Sequence, residues 1–307
     1  MTELSEEFLE ERWRNLIRES MFSAATASSQ PILLSVGAQP GAGKTLAARR
    51  ARDLYPGECF VSINGDDLRV FHPAYTTLIK DSDPAAMPRE TAQASGWWMR
   101  RALSFAASCG ISTTVEGTFR NPGTTMDTIH LFSSHGFTVH VIALAVPWIL
   151  SWQGCISRFV AAVERGWAAR WSDMAAHDAG FAGTPQTVEA VENDPHRQVQ
   201  RLMVMERSGE TVFDNIRGDG GDWLGPLGAA SLLVDRRRHL TPDDVNEFAR
   251  FQVLLDDRVQ RLALPPEVSV AVTSVRRVAV ETFGAPVQAA LEAAECAAQS
   301  GTDMDNP

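Results

Sequence analysis

The residues of this chain best suited to chemistry form the run Gly37-Ala38-Gln39-Pro40-Gly41-Ala42-Gly43-Lys44-Thr45. Glycines let a backbone wrap an anion so that its N–H groups converge, and a helix starting at the end of such a turn adds its positive N-terminus. A lysine beside the turn neutralises β- and γ-phosphates, and the next hydroxyl ligates Mg²⁺. Lys44 and Thr45 hold those two places, so residues 38–45 predict a site for ATP or GTP with Mg²⁺ on Thr45. The first glycine of the pattern G-x-x-x-x-G-K-[ST] falls on Ala38, with Gly37 one residue earlier. A methyl group is tolerated there if φ is negative. A chance glycine turn is the alternative. The flanks argue against it: Ile32-Leu33-Leu34-Ser35-Val36 reads as a strand and Leu46-Ala47-Ala48-Arg49-Arg50 as a helix.

Three further groups carry chemistry by type and place. Asp66 and Asp67 follow the short strand Cys59-Phe60-Val61-Ser62-Ile63. Phosphoryl transfer to a hydroxyl needs a carboxylate beside the acceptor to take its proton, although turn aspartates that bind local N–H groups give the same sequence. Glu116, Thr118 and Arg120 close a third strand, Ile111-Ser112-Thr113-Thr114-Val115. A carboxylate, a hydroxyl and a guanidinium this close suit a hydroxylated, anionic small molecule. Arg158, Arg165 and Arg170 lie beyond the fourth strand, where arginines on a flap can offset charge on a transferred phosphoryl. By spacing alone each is more simply a surface arginine. Trp148, Trp152, Trp167 and Trp171 read as core or flap packing rather than base-stacking groups, His177-Asp178 as helix-end capping rather than a catalytic pair, and the tract 236–239 as a solvated turn rather than a contact for an acidic partner.

The elements needed to position these groups can be followed along the chain. Leu4, Phe8, Leu9, Trp13, Leu16 and Ile17 recur at helical spacing ahead of the first strand. Residues 90–109 read as a helix stopped by Gly110, 124–134 as another stopped by Gly136, and 137–146 as the fourth strand. Strands alternating with helices give an α/β fold, a doubly wound and mostly parallel sheet of P-loop kinase type, with ligands at the carboxyl ends of the strands. Residues 148–215 read as helical with loops. Thr241, Pro242 and Asp244 open a helix running to about Leu264, which Pro265-Pro266 ends. Residues 284–299 are Ala-rich and helical, and 300–307 a polar, frayed tail. The expected organisation is a kinase domain over 1–229, with an N-terminal helix and a helical flap at 148–215, and a helical extension over 230–307.

Taken together, these motifs resemble the zeta toxin family of P-loop kinases. The resemblance rests on the loop 39–45, on Ile63-Asn64-Gly65-Asp66-Asp67-Leu68-Arg69 with His72-Pro73 and Tyr75, and on Val115-Glu116-Gly117-Thr118-Phe119-Arg120. Ala145-Val146-Pro147, Ser157-Arg158-Phe159, Ala169-Arg170 and His177-Asp178 also fit. It implies a kinase that moves the γ-phosphate of ATP to the 3′-hydroxyl of UDP-N-acetylglucosamine and starves cell-wall synthesis. By the same resemblance, Lys44 and Thr45 hold the ATP phosphates and Mg²⁺, and Asp66 is the general base. Glu116, Thr118 and Arg120 contact the acceptor sugar, and Arg158 and Arg170 clamp the transferred phosphoryl. A small helical antitoxin is the partner it implies. The chain departs from the pattern at Arg100, where some relatives carry a glutamate that helps bind the sugar nucleotide, and residues 230–307 have no matching counterpart. Another acceptor, such as an antibiotic hydroxyl or a nucleotide, and a nucleotide-binding module without catalysis are the alternatives.

Composition narrows the class. The chain has 307 residues, 44% of them hydrophobic and 21% charged, with a formal net charge of −10. That charge argues against a broad nucleic-acid surface and leaves room for a local positive pocket. The apolar stretch at 139–146 is far short of the roughly 20 residues a membrane span needs. The acidic start Met1-Thr2-Glu3-Leu4-Ser5-Glu6-Glu7 lacks the basic region of a signal peptide. The four cysteines, at 59, 109, 155 and 296, contain no C-x-x-C pair and suit free thiols in a reducing cytoplasm.

Overall fold

Alternation along the strands decides the layers of this molecule, because successive side chains of a strand face opposite ways. In the computed structural model, which describes residues 3–81, 83, 85–167 and 169–300, Leu33 joins one apolar core while Leu34 and Val36 join a second. Val139, Val141 and Ala143 face the first core, and Ile142 and Leu144 the second. A sheet apolar on both faces must be covered on both.

In chain order, α1 (Glu6–Arg12), a π-helical turn (Trp13–Ile17) and α2 (Arg18–Phe22) form one N-terminal helix. Next come β1 (Ile32–Gly37), α3 (Lys44–Arg52), β2 (Val61–Ile63), a 3₁₀ turn (Asp67–Phe71), and α4 (Tyr75–Leu78). They are followed by α5 (Ala86–Glu90), α6 (Ala92–Ser108), β3 (Thr113–Gly117), α7 (Pro122–Ser134) and β4 (Thr138–Leu144). The chain continues through α8 (Trp148–Glu164), α9 (Met174–Glu192), β5 (Arg201–Met205), β6 (Thr211–Ile216), and α10 (Ala229–Arg236). It closes with α11 (Pro242–Arg261), α12 (Pro266–Phe283) and α13 (Ala285–Gln299).

The six strands lie in the order β2-β3-β1-β4-β5-β6. All neighbours are parallel except β5 and β6. This is the expected doubly wound α/β sheet. The N-terminal helix, α6, α7, α9 and α10 cover one face, and α3, α8, α11, α12 and α13 the other. Register aligns Gly37 with Gly117 on β3 and with Ala143 on β4. The carboxyl ends of the three central strands are therefore level, and the loops after them share one edge.

Three expectations change. Residues 148–215 are not helical throughout, since β5 and β6 lie within them. Leu202-Met203-Val204-Met205 is a short apolar run of mostly good helix formers, but it is buried on both faces beside β4, and that context overrides propensity. A helix unforeseen in the Val-rich stretch after Pro265, α12, buries Val268, Ala271, Val272, Val275 and Ala279, a helical stripe that packing holds despite β-branching. Leu16 is 46% exposed although Leu9, Trp13 and Ile17 are buried. The wider π turn stacks Ile17 beneath Trp13 and swings Leu16 outward. The Thr241–Asp244 capping box is present in full. Of the expected frayed tail, residues 301–307 lie outside the described residues.

Candidate active site

The glycine-rich run forms a tight turn between β1 and α3. Gly41 and Gly43 take φ of 75° and 90°, the left-handed region that a side chain disfavours. Among the described residues, the non-glycines with positive φ are Phe119 and Arg197, so Ala38 has the negative φ its methyl requires. The glycine at 37 has a different cause. A Cβ there would lie 2.0 Å from Cγ of Phe119, whose buried ring closes over the strand end. Gly37→Ala is therefore expected to destabilise the fold by about 2–3 kcal/mol or more, read as a lower urea midpoint. Adding Phe119→Ala relieves the clash, so the double variant loses less than the sum of the singles.

Lys44 folds back on the loop, donating from Nζ to the carbonyls of Ala38 (3.0 Å) and Gln39 (3.1 Å). Burial lowers its pKa to about 8, against the pull of Glu116. Thr45 Oγ1 donates to Glu116 Oε2 at 3.4 Å. Burial raises the Glu116 carboxyl despite the nearby Lys44. Among the described residues no cluster of three or more His, Cys, Asp or Glu could hold a metal. The Thr45 hydroxyl is still a hard oxygen donor of the kind Mg²⁺ accepts, when phosphate oxygens and waters complete its shell. The residues fit the ion.

Asp66 enters from the next loop. Asn64 Oδ1 accepts from the Asp66 N–H (3.0 Å), an Asx turn that fixes the segment leaving β2. Arg69 Nε donates to Asp66 Oδ1 at 3.1 Å, and is itself held by Thr91 Oγ1 (2.6 Å) and the Pro88 carbonyl (2.8 Å). Arg170 pairs with the other oxygen, Oδ2. Burial pushes the Asp66 carboxyl up, but Arg170 and Arg69 outweigh it and the net shift is downward. Asp67 moves the opposite way, raised by burial and by Asp66. Arg158, on α8, donates to Ser172 Oγ (3.1 Å) and is pushed down by burial and by Arg170. The charges of Glu116, Arg158 and Asp66 all reach Lys44. Arg170 lies on the connection between α8 and α9 rather than on a helix. Arg165 caps α8 and stacks on Trp167, with its guanidinium 4.9 Å from the ring centroid.

Thr118 and Arg120 flank Phe119 on the loop after β3, Thr118 half-buried and Arg120 exposed. Their backbone is fixed from α9. Thr187 Oγ1 donates to the Phe119 carbonyl (2.9 Å), and a Cβ on Gly183 would lie 2.4 Å from the Arg120 carbonyl oxygen. The Arg120 side chain makes no ion pair among the described residues. Arg100 is exposed on α6.

The geometry agrees with sequence kinship: a family model described as Zeta toxin matches residues 17–219. The chain belongs to the Zeta toxin family. Toxin zeta of Enterococcus hirae is 25% identical over 174 residues, 56% of this chain and 60% of that relative. Toxin PezT of Streptococcus pneumoniae is 28% identical over 146 residues, 48% of this chain and 56% of PezT. The chain thus spans less than two thirds of the length of these relatives. A structure from work on the PezAT chromosomal toxin–antitoxin system of Streptococcus pneumoniae superposes with a TM-score of 0.69 at 19% identity, over 84% of this chain and 98% of that one. This likeness supports the same fold.

Several residues of this Zeta toxin family member have partners that their sequence did not reveal. Gln39 lies in the loop, but its side chain is buried and turned away from the mouth, donating to the Val146 carbonyl (2.9 Å) and Ser151 Oγ (3.1 Å). His177 is not a helix cap. It lies inside α9, fully buried, with Nε2 2.9 Å from Ser151 Oγ and Nδ1 3.2 Å from Asp178. Asp178 accepts from Trp148 Nε1 at 2.6 Å. Trp152 is core and Trp148 and Trp171 are partly buried, whereas Trp167 is 65% exposed. Arg207 donates to the Gly41 carbonyl at 3.1 Å. The tract 236–239 is not wholly solvated, because Arg237 is 6% exposed and reaches Gln39. Only a run of three arginines hinted at it.

Proposed function

We propose that this chain is an ATP-dependent, cytoplasmic kinase that phosphorylates the 3′-hydroxyl of UDP-N-acetylglucosamine and so depletes a cell-wall precursor. The observation that carries the reading is the Asp66 carboxyl, held by Arg69 and Arg170 at the same sheet edge as Lys44, Thr45 and Glu116. A switch protein that only binds nucleotide needs no acceptor pocket. The loop 38–45 binds the phosphates of ATP through its N–H groups, and Lys44 turns from the loop carbonyls to the β/γ-oxygens. Mg²⁺ on Thr45 supplies charge neutralisation of the phosphate chain. Glu116, Thr118 and Arg120 orient the sugar nucleotide. Asp66 takes the proton as the acceptor oxygen bonds to the γ-phosphorus and the bond to ADP breaks. Arg158 and Arg170 offset the charge on the phosphoryl in flight.

A cavity of about 660 Å³ opens beside the loop, between Gly43, Leu46, Arg207, His239 and Leu240. It has room for the adenosine portion. The toxin–antitoxin system that yielded the similar structure motivates a helical antitoxin as partner.

A test is mass spectrometry of a panel of hydroxylated metabolites incubated with the protein and MgATP. A phosphate mass added to UDP-N-acetylglucosamine supports the proposal, and no such product rejects the acceptor. Arg100, exposed where an acidic residue would suit the amino sugar nucleotide, favours a more anionic acceptor as the second reading. A second expected outcome concerns pH. Lys44 has a pKa of about 8 in the free loop, and phosphate oxygens raise it. ATP affinity is therefore full below about 8 and falls above it, by at most about tenfold per unit for one proton. Calorimetry at pH 8.5 in two buffers of unlike ionisation enthalpy should show proton uptake on binding.

A further inference from the structure

Arg237 follows α10, outside the residues that match the family model. Its guanidinium is buried directly behind the phosphate loop. One terminal nitrogen donates to the Phe181 carbonyl (2.7 Å). The other donates to Gln39 Oε1 (2.9 Å) and to the Leu144 carbonyl (3.2 Å). The guanidinium stacks on Phe181, 4.6 Å from the ring centroid. Every one of these partners is neutral. Nε is buried and has no hydrogen-bond partner, and no ion pair to Arg237 occurs among the described residues. Burial alone pulls its pKa down, to about 9.

Nature buries a guanidinium without a carboxylate only at a cost to the folded state, because the charge loses water and gains no counter-ion. A core position that needed only packing would be filled as well by methionine. Two facts tie this residue to the loop. It grips the side chain of Gln39, whose amide nitrogen is already committed to Val146 and Ser151. It also places a positive charge directly behind the loop, through its contact with Gln39.

We propose that Arg237 is a positioning residue of the donor site, fixing the loop through Gln39 and supplying a buried positive charge that the polyphosphate of the bound nucleotide neutralises. This rests on the reading of residues 38–45 as an ATP site. The segment beyond residue 230 then belongs to the donor site, although the family model ends before it.

The test measures MgATP binding and thermal melting for the full-length protein, Arg237→Met and Arg237→Lys. Arg237→Met should melt close to the wild-type temperature without nucleotide, because the loss of a buried uncompensated charge offsets the three hydrogen bonds given up. It should bind MgATP about tenfold or more weakly and gain less melting temperature from saturating nucleotide. Arg237→Lys keeps the charge without the fork, so its affinity should fall between the two. A Met variant that fails to fold or melts well below wild type would show a merely structural residue and overturn the proposal. So would a folded Met variant with wild-type affinity. A wild-type protein that binds no MgATP overturns the ATP reading itself, and this inference with it.

Discussion

Lys44→Met is expected to lower kcat by about 10²–10³-fold or more and to weaken MgATP binding, while the free protein melts no lower than wild type. The two halves have separate causes. In transfer, the ammonium neutralises oxygens that gain charge as the γ-phosphoryl departs, inside a space where burial strengthens each charge. In the free protein the lysine is half-buried, and its pKa of about 8 records how poorly that place suits a cation. Methionine loses two hydrogen bonds to Ala38 and Gln39 but removes the half-buried charge. Neutralising the group and leaving its stem in place keeps the loop packed. A kinase assay beside a melting curve reads both. Wild-type kcat in the Met variant would sink the donor-site assignment. A collapse in stability would mean the lysine holds the loop together and would leave its catalytic share to be read from Arg, which restores charge at greater length.

Much of the site was legible because its parts announce themselves locally. The run 37–45 needs glycines at Gly41 and Gly43 for their positive φ, and such needs are written in residue type. Strand ends could be counted from short β-branched runs, and the rule that ligands gather at carboxyl ends placed Asp66 and Glu116 near the loop. The residues that were missed act across long sequence separations. Gln39 and Arg237 are 198 residues apart, and neither type reveals that one holds the other. Gly37 looked like a displaced motif glycine, whereas its reason is the ring of Phe119. β5 was hidden for a physical reason: a strand buried on both faces has no alternation, and Leu and Met favour helices when nothing else decides. Val-rich α12 shows the converse, low propensity overcome by an apolar stripe packed against α8 and α11.

Asp66→Asn should lower kcat by about 10²–10⁴-fold, the range a general base supplies, with MgATP affinity little changed. Asparagine keeps the shape and can still accept from Arg69. It cannot take a proton from the acceptor hydroxyl, and it cannot neutralise Arg170, which pairs with Asp66 Oδ2. The freed guanidinium is then drawn more strongly to phosphate, so affinity for ATP holds or tightens while turnover falls. That split separates lost chemistry from a damaged site, because a misfolded loop weakens both. Asp67→Asn is the matched control. Asp67 sits next door, but burial and Asp66 raise its carboxyl and it makes no arginine pair like that of Asp66 with Arg170 among the described residues, so its loss should leave most of the activity. Asp66 is held below the ordinary carboxylate range by two guanidiniums that outweigh burial, so it stays charged through neutral and mildly acid pH. The acid limb of kcat/KM for the wild-type protein should therefore lie below the range of a free carboxylate, and it should vanish in Asp66→Asn. Equal losses in the two aspartate variants would move the base away from Asp66. Full activity in Asp66→Asn would remove proton abstraction by this residue altogether, leaving the pair with Arg170 as a hinge contact of the α8–α9 connection.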